Sequence, residues 1–140
     1  MPSSSNITVS QVHIKVGGSP LNDDKLAILH EVVVEQNSHL PHMFVLRFRD
    51  PDMSMIDDSM FDIAKVVEIE AEQGDSGAKV LLIKGEITAI EPDFREGMLL
   101  DLVIRGFDKS HRMVREIKSR SFLNKKDSQL AQEIAGEHGL

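Results

Sequence analysis

Hydrophobic and polar residues alternate with a period of two along most of the chain. Because successive side chains of a strand point to opposite faces of a sheet, this alternation predicts strands with one buried face. The three consecutive valines Val32 to Val34 are β-branched and favour the same structure. The pattern predicts six strands, at residues 12–16, 26–35, 44–48, 66–72, 79–90 and 98–107.

A turn at residues 17–20, a polar loop at residues 36–41 and four further segments interrupt the alternation. Residues 74–77, Gly-Asp-Ser-Gly, predict a hairpin turn, and residues 91–97 predict a second connection. The apolar residues between positions 55 and 63 have the spacing of one short helix. A further amphipathic helix is predicted to be capped by Asp127 and Ser128 and to be stopped by Gly136 and Gly139.

These elements predict a mainly β (α+β) protein, built as an antiparallel β-barrel with short helices. The alternating runs reach about 12 residues, and long curved strands favour a barrel over a short-stranded sandwich. We expect residues 1–126 to form this barrel domain. We expect residues 127–140 to form a helix that leads into a following domain.

Composition narrows the classes of function. The 140 residues have a formal net charge of −7 and include no Cys, Trp or Tyr, which excludes disulfides and thiolate metal ligands. No apolar run reaches the roughly 18 residues of a membrane-spanning helix, and the polar residues Met1–Ser5 predict no signal peptide. We therefore expect a protein made in the cytoplasm, with no membrane partner and no nucleic acid partner.

The net charge conceals two oppositely charged parts. Residues 1–100 contain eight basic and 17 acidic residues, a net charge of −9, whereas residues 105–126 contain eight basic and two acidic residues, a net charge of +6. The basic segment could dock copies of the chain or an acidic neighbour, bind nucleic acid, or be a solvated face. The candidate docking residues are Arg105, Lys109, Arg112, Arg115, Lys118 and Arg120.

Two patterns that resemble enzyme sites do not predict catalysis. The Gly-Asp-Ser-Gly segment around Ser76 resembles the nucleophile segment of chymotrypsin-like proteases, but it coincides with a predicted turn in a chain too short for that two-barrel fold. Glu86 and Glu91 lie five residues apart in a predicted strand, so we expect them on opposite faces. We therefore expect no catalytic residues.

Two further patterns resemble metal sites. His39 and His42 form a pair in a loop, but zinc requires three or four ligands. The carboxylates of residues 50–58 match the start of an EF-hand loop, but Met55 and Phe61 stand where its glycine and glutamate are required. We expect no metal and no cofactor.

Residues 84–92 and 102–113 carry the most specific pattern in the chain. The pattern G-[YF]-D-x-x-H-x-[LM] matches at Gly106, Phe107, Asp108, His111 and Met113. Together with residues 40–44 and 127–135, it makes the chain resemble the phage late-control D proteins, which are baseplate hubs of contractile tails. The chain also resembles the N-terminal part of the VgrG spikes of type VI secretion.

The resemblance implies a fold and a function. The fold would be a barrel of the tail-tube type, and residues 1–126 would be a hub domain that connects the tube to the central spike. The implied partners are further copies, as a homotrimer of the full-length form, and the tube and spike proteins. The chain would act as a structural protein in a phage tail, a secretion system or an extracellular contractile particle. A tube or tube-initiator subunit and a small-ligand-binding β-barrel remain alternatives.

The matched residues predict a structural corner rather than a catalytic site. The Asp108 side chain can accept hydrogen bonds from backbone N–H groups of a short turn that contains His111. Met113 and Val114 are then expected to return an apolar face to the barrel.

Overall fold

A computed structural model of the chain describes residues 9–97 and 99–140. Met98, predicted to begin the last strand, and the N-terminal segment Met1–Ser5 lie outside the described residues. The strands are β1 (Val9–Val16), β2 (Ser19–Pro20), β3 (Leu29–Glu35), β4 (Met43–Arg49), β5 (Val66–Gln73), β6 (Ala78–Arg95) and β7 (Leu99–Asp108). The helices are α1 (Asp23–Ile28), α2 (His111–Val114) and α3 (Asp127–Glu137).

All seven strands belong to one antiparallel sheet, in the order β2-β1-β5-β6-β7-β4-β3. The sheet curls into a half-barrel, which confirms the prediction of a mainly β, antiparallel protein with short helices. Strand β6 joins its two halves: residues 78–86 pair with β5, and residues 85–95 pair with β7. Register shifts interrupt both pairings, and such bulges increase the local bend of a strand.

The hydrophobic core lies on the concave face of the sheet. Apolar residues at alternate positions of five strands are buried there, as the period of two requires. The segment between β4 and β5 covers this face with Met55 and Phe61. The Phe61 ring packs against the Phe48 ring, with 5.3 Å between the ring centroids. The buried strand residues are Ile14, Val16, Phe44, Leu46, Phe48, Val67, Ile69, Ile83, Ile87, Leu102 and Ile104.

Two glycines allow the strands to approach each other beneath the ring of Phe44. A Cβ atom on Gly106 would lie 2.2 Å from the Glu86 carbonyl oxygen and 2.3 Å from Cζ of Phe44. A Cβ atom on Gly85 would lie 2.6 Å from the Phe107 carbonyl oxygen. Phe44 is fully buried, so its ring takes the place of the side chains that these two positions lack.

The strand predicted at residues 26–35 is wrong in its first part, because α1 extends to Ile28. The Asn22 side chain accepts a hydrogen bond from the Lys25 N–H at 3.0 Å and caps the helix. Asp23 and Asp24 lie in the first turn, where negative charge favours a helix. The run of β-branched residues that favours a strand begins only at Val32, four residues after the helix ends.

The helix predicted between residues 55 and 63 is also wrong, since this stretch consists of turns. The buried Asp50 carboxylate accepts hydrogen bonds from the N–H groups of Ser54 and Met55, at 3.0 and 2.8 Å. These bonds satisfy the backbone outside a helix. The apolar spacing that resembled a helix instead places Met55 and Phe61 in the core.

The connection predicted at residues 91–97 begins too early, because β6 continues through Pro92 to Arg95. This half of β6 pairs with β7 alone, and an edge position tolerates a residue without an N–H donor. The bulge at Thr88 also places Glu86 and Glu91 on the same face, opposite Phe107 and Val103, so the prediction of opposite faces is wrong.

The C-terminal helix is present, with a different N-cap from that predicted. Lys126 is the N-cap residue, its N–H donating to the Gln129 side chain at 3.1 Å, and Asp127 is the first helical residue. The helix continues through Gly136 to Glu137 and ends before Gly139, so the second of the two predicted glycines marks its end.

We predict that Gly106→Ala destabilises the protein by about 1 to 3 kcal/mol, the usual cost of overpacking a core. The added methyl group would meet the Glu86 backbone, which cannot rotate away. Urea unfolding measures the change in the free energy of unfolding. Gly136→Ala is the matched control: no described atom outside its chain neighbours and its own helix backbone lies within 4 Å of the new methyl group, and alanine favours a helix. Equal effects of the two substitutions would contradict the prediction.

Candidate functional site

The matched residues meet at the corner where β7 ends. Asp108 is the last residue of β7, and its N–H donates to the His42 carbonyl oxygen at 2.9 Å. Its carboxylate accepts hydrogen bonds from the His42 N–H at 3.0 Å and from the Ser110 N–H at 2.9 Å. Asp108 therefore fixes the turn into α2 and also holds the segment that enters β4.

These hydrogen bonds determine the charge state of Asp108. Burial by itself would raise the pKa of the carboxyl group, but hydrogen bonds from Ser110 and from the His42 N–H lower the pKa below its ordinary value. The carboxylate is therefore ionised at neutral pH, and its hydrogen bonds are charge-assisted.

His111 is 9% exposed and links the corner to the segment that follows. Its Nε2 atom lies 2.7 Å from a terminal nitrogen of Arg115, which can only donate, so Nε2 is the acceptor. The proton of a neutral ring is then on Nδ1, which lies 2.7 Å from the Asp108 carbonyl oxygen. His111 thus connects the end of β7 to Arg115.

The other matched residues have different positions. Gly106 lies beneath Phe44, and Phe107 is half-buried with its ring 6.2 Å from the His111 ring. Met113 is 42% exposed and Val114 is more exposed still, so the prediction that they return an apolar face to the barrel is wrong. The single turn of α2 aims both side chains away from the core.

Arg112 joins the sheet to the C-terminal helix. Its guanidinium group makes a bidentate ion pair with the buried carboxylate of Glu86, with Nε at 3.1 Å from one oxygen. Another of its nitrogens donates to the His138 carbonyl oxygen at 3.1 Å. We call this three-part contact the Arg112 clamp. It connects the middle of β6 to the C-terminal end of α3.

Most of the candidate docking residues are paired within the chain. Arg105 contacts Glu91 at 3.3 Å, and Lys118 contacts Glu116 at 3.1 Å. Arg120 binds both carboxylate oxygens of Glu137, which raises the pKa of the arginine. Among the described residues, Lys109 makes no salt bridge. Much of the charge of the basic segment is therefore balanced by acidic residues of the sheet and of α3.

A second cluster of charges, on the convex face of the sheet, had no distinct signal in the sequence. Asp101 is fully buried, and neither of its carboxylate oxygens has a hydrogen-bond partner among the described residues. Four cationic or basic side chains lie 3.5 to 3.7 Å from it: His30, Arg47, Arg49 and Arg95. They belong to three strands, β3, β4 and β6, which the register of the sheet brings together around β7.

Arg47 organises this convex cluster across the strands. It donates to Glu31 on β3 at 2.9 Å and to Asp93 on β6 at 2.6 Å. The hydrogen bond to Asp93 raises the pKa of Arg47, and the same bond lowers the pKa of Asp93. The cluster therefore supports the sheet electrostatically where β6 pairs only with β7.

Ser76 and His42, which are not expected to be catalytic or metal-binding, make local contacts instead. The Ser76 hydroxyl donates to the Gln73 carbonyl oxygen at 2.8 Å within the hairpin turn. The Nε2 atom of His42 lies 3.1 Å from the Asn37 carbonyl oxygen. Within the described part of the chain, no group of three or more His, Asp or Glu side chains is arranged to hold a metal ion.

We predict that Asp108→Ala lowers the free energy of unfolding by about 1 kcal/mol at neutral pH, the usual loss of a capping side chain. Because the pKa of Asp108 is lowered in the folded state, its stabilisation is complete above the ordinary carboxyl pKa of about 4. It is lost as the pH falls through the lowered value. Urea unfolding of both proteins at neutral and acidic pH tests this, and an unchanged stability at neutral pH would contradict it.

We predict that Arg112→Leu destabilises the protein by about 2 to 3 kcal/mol, because it leaves the Glu86 carboxylate buried without its partner. The double variant Glu86→Leu/Arg112→Leu should recover much of that loss, since it buries no charge. Thermal unfolding of the wild type, both single variants and the double variant forms a double-mutant cycle. Additive effects of the two substitutions would contradict the clamp.

Comparison with known proteins found no match between the chain and any protein-family model, and no similar sequence among curated proteins. In the described part of the chain, no helix has the length and apolar character needed to cross a membrane.

Proposed function

We propose that this chain is a structural domain of a contractile tail or injection machine. It would be a baseplate hub domain of the tail-tube type, which connects the tube to the central spike. The observation that carries the proposal is the corner at the end of β7. Gly106, Asp108 and His111, which match the hub pattern in sequence, each make a specific structural contact there.

The shape of the sheet supports the same proposal. The half-barrel has β2 and β3 at its two ends, and β3 pairs only with β4 within the described residues. A strand with one partner presents unpaired backbone groups to a neighbouring chain. In a hub, the sheets of adjacent subunits would together line a channel, so the function would be geometric rather than catalytic.

The two alternatives predict different observations. A tube or tube-initiator subunit would stack into open series of rings, which electron microscopy would detect. A small-ligand-binding barrel requires an apolar cavity, but Leu21, Met55 and Phe61 are buried against the concave face. The hub is therefore the function that the geometry supports best.

We predict that the full-length protein forms trimers and binds both the tube protein and the spike protein of its particle. Light scattering measures the first property, and co-elution from a sizing column measures the second. A full-length protein that stays monomeric at high concentration and binds neither partner would contradict the hub proposal. Stacked rings would favour the tube subunit, and a ligand-induced rise in melting temperature would favour the ligand-binding barrel.

A further inference from the structure

We infer that the chain associates head to tail through two surfaces that lie at opposite ends of strands β4 and β7. A groove beside α3 of one copy would receive the acidic turn at residues 51–57 of a second copy. The inference rests on the proposed assembly function, because it names a second copy as the partner. It adds the surfaces that would meet.

The groove lies between α2, the extended segment after it, and the C-terminal end of α3. It consists of two adjoining hollows of about 670 and 200 Å³, which share Glu116, Lys118, Glu137 and His138. The larger hollow is lined by Arg112 and Arg115. The smaller hollow adds the apolar side chains of Met113, Phe122 and Ile134.

The groove keeps a positive charge after its internal ion pairs are counted. Four cationic side chains line its two hollows, but Arg112 pairs with Glu86, Lys118 with Glu116 and Arg120 with Glu137, which leaves the charge of Arg115. Arg115 uses one terminal nitrogen for His111, which leaves its other N–H groups available. A matching partner segment would combine apolar side chains with carboxylates.

The turn at residues 51–57 has this composition. Met53 and Ile56 are 46% and 38% exposed although they are apolar. Each lies directly beside an exposed aspartate, Asp52 or Asp57, and the segment contains no basic residue. Met55, between them, is buried in the core and holds the turn in place.

The topology separates the two surfaces within one chain. Strand β4 pairs antiparallel with β7, with Met43 opposite Phe107 and Arg49 opposite Asp101. The acidic turn follows Arg49, whereas α2 and the groove follow Asp108 at the other end of the same strands. The seven residues of β4 span about 20 Å. Residues 51–57 therefore lie far from the groove of their own chain and can reach that of another copy.

We predict that two variants that each fail to self-associate will associate when mixed. The groove variant is Met113→Glu/Lys118→Glu, and the turn variant is Asp52→Lys/Asp57→Lys; all four side chains are exposed. Sedimentation of the wild type should show association that strengthens with concentration and weakens with salt. The dissociation constant for self-association should be at least tenfold higher for each variant alone than for the wild type. Their mixture should form a one-to-one complex that does not grow, because only one intact groove and one intact turn remain to pair.

The matched control is Lys79→Glu/Val80→Glu, which makes the same changes of charge and polarity at exposed positions of β6. It should associate like the wild type, and circular dichroism should show all three variants folded. A monomeric wild type, variants that associate as strongly as the wild type, or a mixture that stays monomeric would each overturn the inference. Binding to tube and spike proteins is measured separately, so this contact can fail while the hub proposal stands.

Discussion

The close approach of β6 and β7 beneath Phe44 is the constraint on which the rest of the structure depends. Gly85 and Gly106 have no room for a Cβ atom, and the ring of Phe44 fills the space above them. This contact joins three strands at the place where β6 changes partner from β5 to β7. The curl of the sheet therefore depends on two positions that lack a side chain and one that supplies a large ring.

The C-terminal part of the chain is attached through the same place. Gly106 lies two residues before Asp108, which fixes the corner, and the Glu86 carbonyl oxygen faces Gly106. The side chain of Glu86 points to the opposite face and holds Arg112, which in turn holds the end of α3. A shift of β6 against β7 would thus disturb the core on one face and the Arg112 clamp on the other.

Ion pairs within the chain balance much of the charge in two regions of the protein. In the convex cluster around Asp101 and in the basic segment, most charged side chains lie close to a side chain of opposite charge. The separation into an acidic body and a basic segment is therefore much weaker in the folded protein than in the sequence. Exposed charges also lie beside apolar side chains, in the groove and in the acidic turn. Such mixed surfaces favour specific contacts over general attraction to polyanions.

The sequence by itself determined the class of fold and most of the strands, because alternation of apolar and polar residues reports a strand with one buried face whatever its neighbours are. It also marked the corner from Gly106 to His111, since the turn and its capping residue are local. It did not determine the turns at residues 50–65, where the Asp50 side chain replaces helical hydrogen bonds, or the register shift that places Glu86 and Glu91 on one face.

Only the tertiary structure assembled the convex cluster around Asp101 and the Arg112 clamp. Their members come from positions distant in the chain, and a shift of one residue in strand pairing would separate them.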